Sequence, residues 1–377
     1  MNVFEVIKPT QDPKKENQVK KVNIAIFGHG LVGGTLINQI LDSLENIIKR
    51  RDIKLSVFAI ANSKHIIFNK EGFNTNWRSD IETKGNHYTV FDVISFAKEH
   101  HLENLIAVDN TASSSFVKNY IPLVENGFDL VSSNKIANTL SYSFYKEVRN
   151  VLEEKQKKYL YETNVGAGLP LIDTIKLLHL SGENITKIKG VFSGTLSYLF
   201  NNYSIQEITF SEILKEAIAA GYTEPDPRED LCGNDVGRKL LVLARELDLQ
   251  NEFDEINIEN LISEHLRGVT KEEFLAQLEE LDEKYKAIKT NQKDNHVLRY
   301  VGELSGDLQQ DKGNLEVKLV SIPQNSALGQ LQGSDSYFEI YTESYGDRPI
   351  VIQGAGAGSA VTARGVFGDI LRLSDKG

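Results

Sequence analysis

Residues 221–239, GYTEPDPREDLCGNDVGRK, carry the densest group of side chains able to do acid–base chemistry. The segment holds five carboxylates, and its two prolines and two inner glycines predict an irregular, rigid loop that leads into a helix. Asp235 and Lys239 are four residues apart on that helix and therefore share a face. The apolar run at 240–243 predicts a largely buried helix, so we expect Lys239 to point into a cleft. An ordinary surface ion pair fits the same spacing.

A second lysine, Lys135, follows the end of a predicted strand in SSNK, residues 132–135. The carboxyl ends of strands in a doubly wound sheet face the bound ligand, so we expect Lys135 to reach that edge. A solvated loop lysine is the alternative, because most lysines are exposed.

Residues 161–170, YETNVGAGLP, place one carboxylate before a glycine-rich turn. Such a turn exposes several backbone carbonyl oxygens, and a ligand set made of oxygen alone suits a hard cation. The start of a helix explains GLP at 168–170 equally well, so the residues alone leave both interpretations open.

The pattern GHGLVG at residues 28–33, with Gly28, Gly30 and Gly33 as its glycines, lies between a predicted strand and a predicted helix. Glycines at this spacing permit a tight turn that brings backbone amides and the helix N-terminus to a pyrophosphate, so we predict a dinucleotide site. Thr111 follows another strand, where it is able to cap a helix, contact the cofactor or do both.

The end of the second strand indicates which nicotinamide cofactor is bound. Residues 60–64, IANSK, hold no carboxylate that would accept bonds from the ribose hydroxyls of NAD, whereas Ser63 and Lys64 are able to contact a 2′-phosphate. This favours NADP, with NAD possible, over a solvated turn that carries an incidental lysine.

Strands and helices alternate through the first part of the chain, with strands at 22–27, 55–61, 104–108, 128–132 and 159–161. This alternation predicts an α/β protein with a Rossmann-type, doubly wound parallel sheet. From residue 165 the pattern changes and predicts helices at 170–180, 195–201, 211–220 and 234–247, a long, charged and exposed helix at 272–290, and strands at 187–192, 297–303, 316–322, 337–342 and 350–353.

These elements predict a flexible lead-in at 1–21 and two domains. The dinucleotide-binding domain comprises 22–164 plus 343–377, because a last helix at 359–373 follows a glycine cluster and is expected to return to it. The second, α+β domain at 165–342 is expected to bind the substrate.

The composition narrows the class of protein. A chain of 377 residues with 40% hydrophobic and 25% charged residues suits a globular protein of about two domains. The net charge of −11 argues against nucleic acid and anionic membrane as partners. The single cysteine excludes an intrachain disulfide, and we see neither a membrane-spanning run nor a signal peptide, so we expect a cytoplasmic protein.

Taken together, five segments resemble homoserine dehydrogenases, and the resemblance extends from about Val22 to the end of the chain. It is closest to the dehydrogenase half of bifunctional aspartokinase–homoserine dehydrogenases and to the short stand-alone fungal type. The resemblance implies an NAD(P)-dependent oxidoreductase that interconverts L-aspartate 4-semialdehyde and L-homoserine in threonine, methionine and isoleucine biosynthesis. It also implies a homodimer built on the second domain. The segments are GYTEPDPREDLCGNDVGRK, ETNVGAGLP, FSGTLSYLF, SSNK and GAGAGSAVTARGVFGDIL.

The resemblance further implies roles for individual residues. Lys239 corresponds to the catalytic lysine that shuttles a proton, and Lys135 to a second lysine near the nicotinamide and the substrate. The residues expected to bind homoserine are Glu224, Asp230 and Asp235. The sodium or potassium site comprises the Glu162 side chain and the backbone oxygens of Val165, Ala167 and Leu169. The cofactor contacts are Gly28, Gly30, Leu31, Val32, Thr111, Gly221 and Gly358.

Two other functions account for part of the sequence. A non-catalytic dinucleotide sensor or scaffold is compatible with the fold, but the presence of both lysines and the acidic cluster favours an enzyme. Aldehyde dehydrogenases that form a thioester need a nucleophilic cysteine. The acidic loop around Cys232 would raise its pKa, so we expect no catalytic role for this thiol.

Overall fold

A parallel sheet of apolar strands forms the first half of the protein in the computed structural model, which describes residues 19–375. The strands are β1 Lys20–Phe27, β2 Ile53–Ala61, β3 His65–Phe68, β4 Asn86–His87, β5 Leu105–Asp109, β6 Phe128–Ser132 and β7 Tyr159–Leu160. They lie in the order β4-β3-β2-β1-β5-β6-β7. Strands β2, β1, β5, β6 and β7 run parallel to one another, whereas β3 and β4 form an antiparallel edge.

Helices cover both faces of this sheet, as the sequence predicted. Alternate residues of β1 belong to two separate cores, with Ile24 and Ile26 in one and Ala25 and Phe27 in the other. The doubly wound α/β fold is therefore confirmed. The helices are α1 Leu31–Arg51, α2 Trp77–Lys84, α3 Val90–Glu99, α4 Tyr120–Glu125 and α5 Tyr142–Glu154.

The second half is a mostly antiparallel sheet of order β13-β12-β8-β10-β11-β9 with helices packed on its inner face. The strands are β8 Ile185–Val191, β9 Asn257–Ile258, β10 His296–Ser305, β11 Asn314–Pro323, β12 Ser336–Thr342 and β13 Ile350–Gly354. The helices are α6 Leu171–Leu180, α7 Gly194–Tyr203, α8 Phe210–Ala219, α9 Arg228–Leu231, α10 Asn234–Glu246, α11 Lys271–Ala276 and α12 Asp282–Thr290.

The last helix, α13 (Ser359–Ser374), returns to the first sheet. Its Val366 and Ile370 are buried in the same core as Ile24, and Gln39 Nε2 of α1 donates a hydrogen bond of 3.1 Å to the carbonyl oxygen of Ala360. The domain built on the first sheet is therefore discontinuous in sequence. No helix of residues 19–375 has the length and apolar character that crossing a bilayer requires.

Three predictions about elements need correction. Strand β13, predicted within the first domain's segment 343–377, pairs with β12 in the second sheet, so that only α13 returns. The predicted lead-in at 1–21 overlaps β1, which begins at Lys20, and residues 1–18 lie outside the described residues.

The single exposed helix predicted at 272–290 is wrong. The segment divides into α11, a 3-10 turn at 278–281 and α12. Phe274 and Tyr285 are fully buried, and Tyr285 stacks on Phe210 of α8 with ring centroids 3.7 Å apart. Packing of this segment against α8 therefore outweighs the tendency of its charged residues to form one continuous helix.

Candidate active site

One carboxylate, Asp235, holds the two predicted lysines together. Lys135 Nζ lies 2.8 Å from Asp235 Oδ1, and Lys239 Nζ lies 2.9 Å from Asp235 Oδ2. Lys135 comes from the turn that follows β6, whereas Asp235 and Lys239 lie on α10, so the cluster joins the two domains. Lys239 Nζ also donates a hydrogen bond of 2.8 Å to the carbonyl oxygen of Phe192, at the end of β8.

The charges of this cluster favour the ionised carboxylate. Burial alone would raise the pKa of Asp235, but the nearby ammonium groups of Lys239 and Lys135 outweigh it and hold the pKa well below its usual range. Nearly half of the Asp235 side chain, 46%, stays exposed, whereas only 15% of the Lys239 side chain does. The carboxylate is therefore charged and accessible from the cleft between the domains.

The acidic loop that precedes α10 adds two more of the predicted carboxylates. Asp230 Oδ2 accepts a hydrogen bond of 2.8 Å from the backbone N–H of Glu224. Burial raises the pKa of Asp230 and the charges of Glu224 and Asp235 raise it further, while hydrogen bonds from Glu224 and Thr195 lower it. Thr195 of α7 fixes the start of the loop, because its hydroxyl donates to the carbonyl oxygen of Tyr222 at 2.6 Å.

Two other ionisable residues of this loop have structural roles. Asp226 forms an ion pair of 2.6 Å with Arg228, which also donates to the carbonyl oxygen of Val269. Burial raises the pKa of the Cys232 thiol, and the charge of Glu229 raises it further. A thiol in this state is a poor nucleophile.

The glycine loop has the geometry that a pyrophosphate site needs. Gly28 has φ +85°, and a Cβ built on Gly33 would lie 1.8 Å from the Gly28 carbonyl oxygen, so neither position accepts a side chain without rearrangement. Helix α1 begins at Leu31 with Gly30 as its N-cap and no acidic residue in its first turn. Leu31 is 85% exposed, unusual for a large apolar residue in a folded domain, and Val32 is half-buried beside it. The N-terminus of α1 is thus open to an anionic ligand.

Ser63 and Lys64 lie in the turn after β2, next to the glycine loop. The Asn62 side chain shapes this turn by accepting hydrogen bonds from the backbone N–H groups of Lys64 (2.8 Å) and His65 (2.7 Å). Asn62 Nδ2 also lies 3.3 Å from His29 Nε2 in the glycine loop. Lys64 is exposed, so its ammonium group is available to a ligand at this end of the cleft.

Thr111 lies between the glycine loop and the Lys135 turn. A Cβ on Gly28 would lie 3.0 Å from the Thr111 backbone nitrogen, and Asn134 Nδ2 lies 3.4 Å from Thr111 Oγ1. The Thr111 hydroxyl caps no helix; it accepts a bond of 3.2 Å from the Ser113 N–H. The Thr111 loop therefore contacts both the glycine loop and the turn that carries Lys135.

Sequence reasoning missed two residues at this cleft. Asn110 is close to Gly33, its Oδ1 accepts from Ser133 Oγ, and its buried Nδ2 has no partner among the described residues. Arg78 stacks on Trp77 and comes within 2.4 Å of a Cβ built on Gly34. The strand-end position of Asn110 was an available signal; nothing local marks Arg78, because α2 reaches the loop only through tertiary packing.

Gly221 and Gly358 both have backbone conformations that favour glycine, with φ +73° after α8 and φ +117° before α13. Gly358 is the N-cap of α13, whose first turn lies beside α1 through the Gln39–Ala360 hydrogen bond. Gly221 opens the acidic loop. The structure places both at loop ends, and a Cβ built on either would lie within 4 Å of no atom of the glycine loop.

Glu162 lies at the predicted cation site and also caps a helix. Its carboxylate accepts hydrogen bonds from the backbone N–H groups of Ile172 (2.7 Å) and Asp173 (3.0 Å) at the start of α6. Burial and the charge of Asp173 raise the pKa of Glu162 to about 8, and burial raises that of Asp369, whose carboxylate accepts the Glu162 N–H, to about 6. The backbone of Val165, Ala167 and Leu169 follows directly, with Ala167 at φ +54°. Arg372 forms ion pairs with Asp173 and Asp369, so Glu162 is the carboxylate here that has no cationic partner among the described residues. A cation bound by oxygen atoms would fit beside it.

Comparisons with known proteins identify the family of this chain. A family model described as the NAD binding domain of homoserine dehydrogenase matches residues 28–162, and a second, described as homoserine dehydrogenase, matches residues 170–371. The bifunctional aspartokinase/homoserine dehydrogenase of Haemophilus influenzae is 37% identical over 98% of this chain and 44% of that protein. This chain therefore spans less than half the length of that relative.

Other relatives match over their whole length. The homoserine dehydrogenase of Schizosaccharomyces pombe is 36% identical over 93% of this chain and 95% of that protein. A hyperthermophilic archaeal homoserine dehydrogenase, solved in complex with NADPH, superimposes with a TM-score of 0.70 over 94% of this chain and 98% of that one. At 23% identity, that structure shows the shared fold.

Proposed function

The chain belongs to the homoserine dehydrogenase family, and from that premise we propose that it interconverts L-aspartate 4-semialdehyde and L-homoserine with a nicotinamide dinucleotide. The observation that carries this proposal is the Lys135–Asp235–Lys239 cluster, which brings two ammonium groups to one half-exposed carboxylate. In the cell, this reaction would supply homoserine for threonine, methionine and isoleucine. The cytoplasmic location expected from the sequence stays a prediction.

The lysines suit the proton chemistry of the reaction. When bound, the nicotinamide cofactor supplies or accepts the hydride. Reduction of the aldehyde also leaves an alkoxide, which needs a positive charge and a proton. Lys239, held by Asp235 and the Phe192 carbonyl oxygen, is fixed for that role, and Lys135 adds a second positive charge from the other domain.

The carboxylates suit the other end of the substrate. Homoserine and aspartate semialdehyde carry an ammonium group, which binds best to ionised carboxylates. Asp235 is ionised and accessible, and Glu224 and Asp230 lie in the loop next to it. We assign substrate binding to these three residues.

We favour NADP as the cofactor. The turn after β2 contains Ser63 and Lys64, which are able to bind the 2′-phosphate of NADP. It contains no carboxylate, which would bind the ribose hydroxyls of NAD and repel that phosphate. A protein of the same fold was solved with NADPH. The cofactor contacts assigned are the glycine loop at 28–33, Ser63, Lys64, Thr111, Lys135, Gly221 and Gly358.

A sodium or potassium ion at Glu162 and a homodimer complete the proposal. The cation would be held by Glu162 and the backbone oxygens of Val165, Ala167 and Leu169, where it would balance the desolvated carboxylates. The second sheet supports the homodimer, because its outer face carries an apolar patch: Val191, Val301 and Tyr337 form a buried cluster there, and Val320 and Ile322 pack against it. The rest of that face is charged and includes the Lys189–Glu303 pair.

The direct test measures homoserine-dependent reduction of NADP and, separately, binding of NADPH by fluorescence. Turnover that requires both homoserine and NADP supports the dehydrogenase. Binding of NADPH without turnover would instead favour the non-catalytic sensor on the same fold. The Lys239→Ala variant, measured in parallel, identifies any activity that comes from a contaminating enzyme.

A further inference from the structure

Asp109, the last residue of β5, is a buried carboxylate that has no part in the proposed chemistry. It is only 2% exposed, and none of the described lysine, arginine or histidine side chains forms an ion pair with it. Burying an unpaired carboxylate is costly unless hydrogen bonds compensate. A residue of this kind at the ligand-facing edge of the sheet therefore needs an explanation.

Three donors surround the Asp109 carboxylate. Oδ1 accepts from the backbone N–H of Thr111 at 2.8 Å, and Oδ2 accepts from Tyr120 OH at 2.7 Å and from Asn134 Nδ2 at 3.0 Å. Burial raises the pKa of Asp109, while hydrogen bonds from Thr111, Tyr120 and Asn134 act to lower it. Two of these donors are N–H groups, which cannot accept a hydrogen bond. Both side-chain atoms of residue 109 must therefore be acceptors, as in a carboxylate, because the NH2 group of an amide would face a donor.

Asn134 links the Asp109 carboxylate to the turn that carries Lys135. While its Nδ2 is bound to Asp109, its Oδ1 accepts from the backbone N–H of Ile136 at 3.1 Å and so caps the 3-10 turn Lys135–Asn138. The backbone of Asn134 is fixed as well, because its N–H donates to Ser132 Oγ at 2.9 Å. Lys135 is the first residue of that turn, and its ammonium group reaches Asp235 from there.

The same carboxylate also holds the Thr111 loop, which lies against Gly28. One buried group thus sets the spacing between the loop beside the dinucleotide crevice and the turn that carries a lysine of the active site. We infer that Asp109 is a positioning residue of the dehydrogenase reaction, which acts through Asn134 to fix Lys135. This inference rests on the proposed function.

The test is a double-mutant cycle in kcat, measured with wild type, Asp109→Asn, Lys135→Ala and the double variant. The asparagine has the shape of the aspartate but turns an NH2 group towards the donors. We expect Asp109→Asn to lower kcat by between about 10- and 100-fold, as for a misplaced catalytic group, with little change in KM for homoserine. In the Lys135→Ala background, the same substitution should lower kcat less than about twofold, because sites that act through one another are not additive.

Asp129→Asn is the matched control, since Asp129 is a buried aspartate at the opposite end of the neighbouring strand β6, where it accepts the Lys158 N–H. It should leave kcat within about twofold of wild type. If Asp109→Asn does not fold, Asn134→Ala removes the same relay and should show the same dependence on Lys135. If the wild type is active and Asp109→Asn lowers kcat equally with and without Lys135, the inference is wrong and the dehydrogenase function stands. If the wild type is inactive, the proposed function itself is contradicted.

Discussion

Lys239 is restrained at both sides of its ammonium group, by a carboxylate from its own helix and by the Phe192 carbonyl oxygen from a neighbouring strand. A lysine needs such restraint to act as a proton donor at one fixed point, because its four-carbon side chain is otherwise mobile. The restraint also keeps the ammonium group away from bulk water. At this scale, the geometry sets Lys239 apart from a solvated surface lysine and supports its proposed role.

We predict that Lys239→Ala lowers kcat by about 10²-fold or more, in the range of a lost general acid. The free energy of unfolding should change little, because Lys135 still pairs with Asp235. Lys215→Ala, which removes a surface lysine paired with Glu279, serves as the control in the same steady-state assay. A kcat within a few-fold of wild type would remove Lys239 from the proton path.

A second prediction concerns the cofactor. Lys64→Ala should raise KM for NADPH by about 10-fold, the factor that corresponds to about 1.4 kcal/mol of charge-assisted binding, and should leave KM for NADH nearly unchanged. Lys70→Ala, an exposed lysine just beyond β3, is the control. If wild type prefers NADH, or if the substitution raises both KM values equally, the assignment of Lys64 to the 2′-phosphate is wrong.

The pairing of Asp235 with Lys239 was predictable from the sequence, because residues four apart on a helix meet directly. That Lys135 lies at the ligand-facing edge of the sheet was predictable from its position at a strand end. Its contact with Asp235 was not, because the two residues are 100 positions apart in the chain. Arg78 was not predictable, since its guanidinium reaches the glycine loop through the packing of α2 against the first domain. Local patterns therefore identify side chains, while tertiary contacts decide which of them meet.

At the scale of elements, turns and caps determine the shape of the site. Most strand and helix positions were predicted to within a few residues, because apolar periodicity follows burial in both sheets. The prediction for segment 272–290 failed, because its many charged residues suggested an exposed helix. Its few apolar residues pack inward: Phe274, Leu278, Leu281 and Tyr285. A charged helix and a buried, interrupted one share the same local signal when only a few apolar residues face the core.

The start of α6 leads to the third prediction. If a monovalent cation binds at Glu162, sodium or potassium chloride should stabilise the protein more than choline chloride at equal ionic strength. At ten times the dissociation constant, the gain in the free energy of unfolding should be about 1.4 kcal/mol. Thermal or urea unfolding measures it, and comparison of the two salts identifies the preferred ion.

Glu162→Gln should abolish this difference between salts, whereas Glu212→Gln, which alters the exposed capping box of α8, should keep it. Both substitutions weaken a helix cap, so both variants are expected to be less stable than wild type. Identical behaviour in sodium, potassium and choline chloride for the wild type would contradict a cation site at Glu162.

At the scale of the whole molecule, the second sheet has apolar residues on both faces. Antiparallel sheets commonly have one face packed on a core and one in water. Here Leu328 and Leu331 cover part of the outer face, and Val351 at its edge remains 47% exposed. We propose that a second copy covers the apolar surface that remains on this face.

We therefore predict that sedimentation or light scattering gives twice the mass of one chain. Val320→Glu, on the outer face, should shift the protein to the single-chain mass at micromolar concentration, because a charge would be buried in the contact. Phe91→Glu, which alters an equally apolar but separate exposed residue on α3, should leave the dimer intact. A wild type with the mass of one chain would refute this arrangement.

Helix α13 has a consequence for the order of folding during synthesis. Ala363, Val366, Phe367 and Ile370 complete the core that β1 and α1 begin, yet they are translated only after all six strands of the second sheet. A nascent chain on the ribosome would therefore carry an unfinished nucleotide-binding half while its other half is already able to close. The first domain to be made would be the last to become stable.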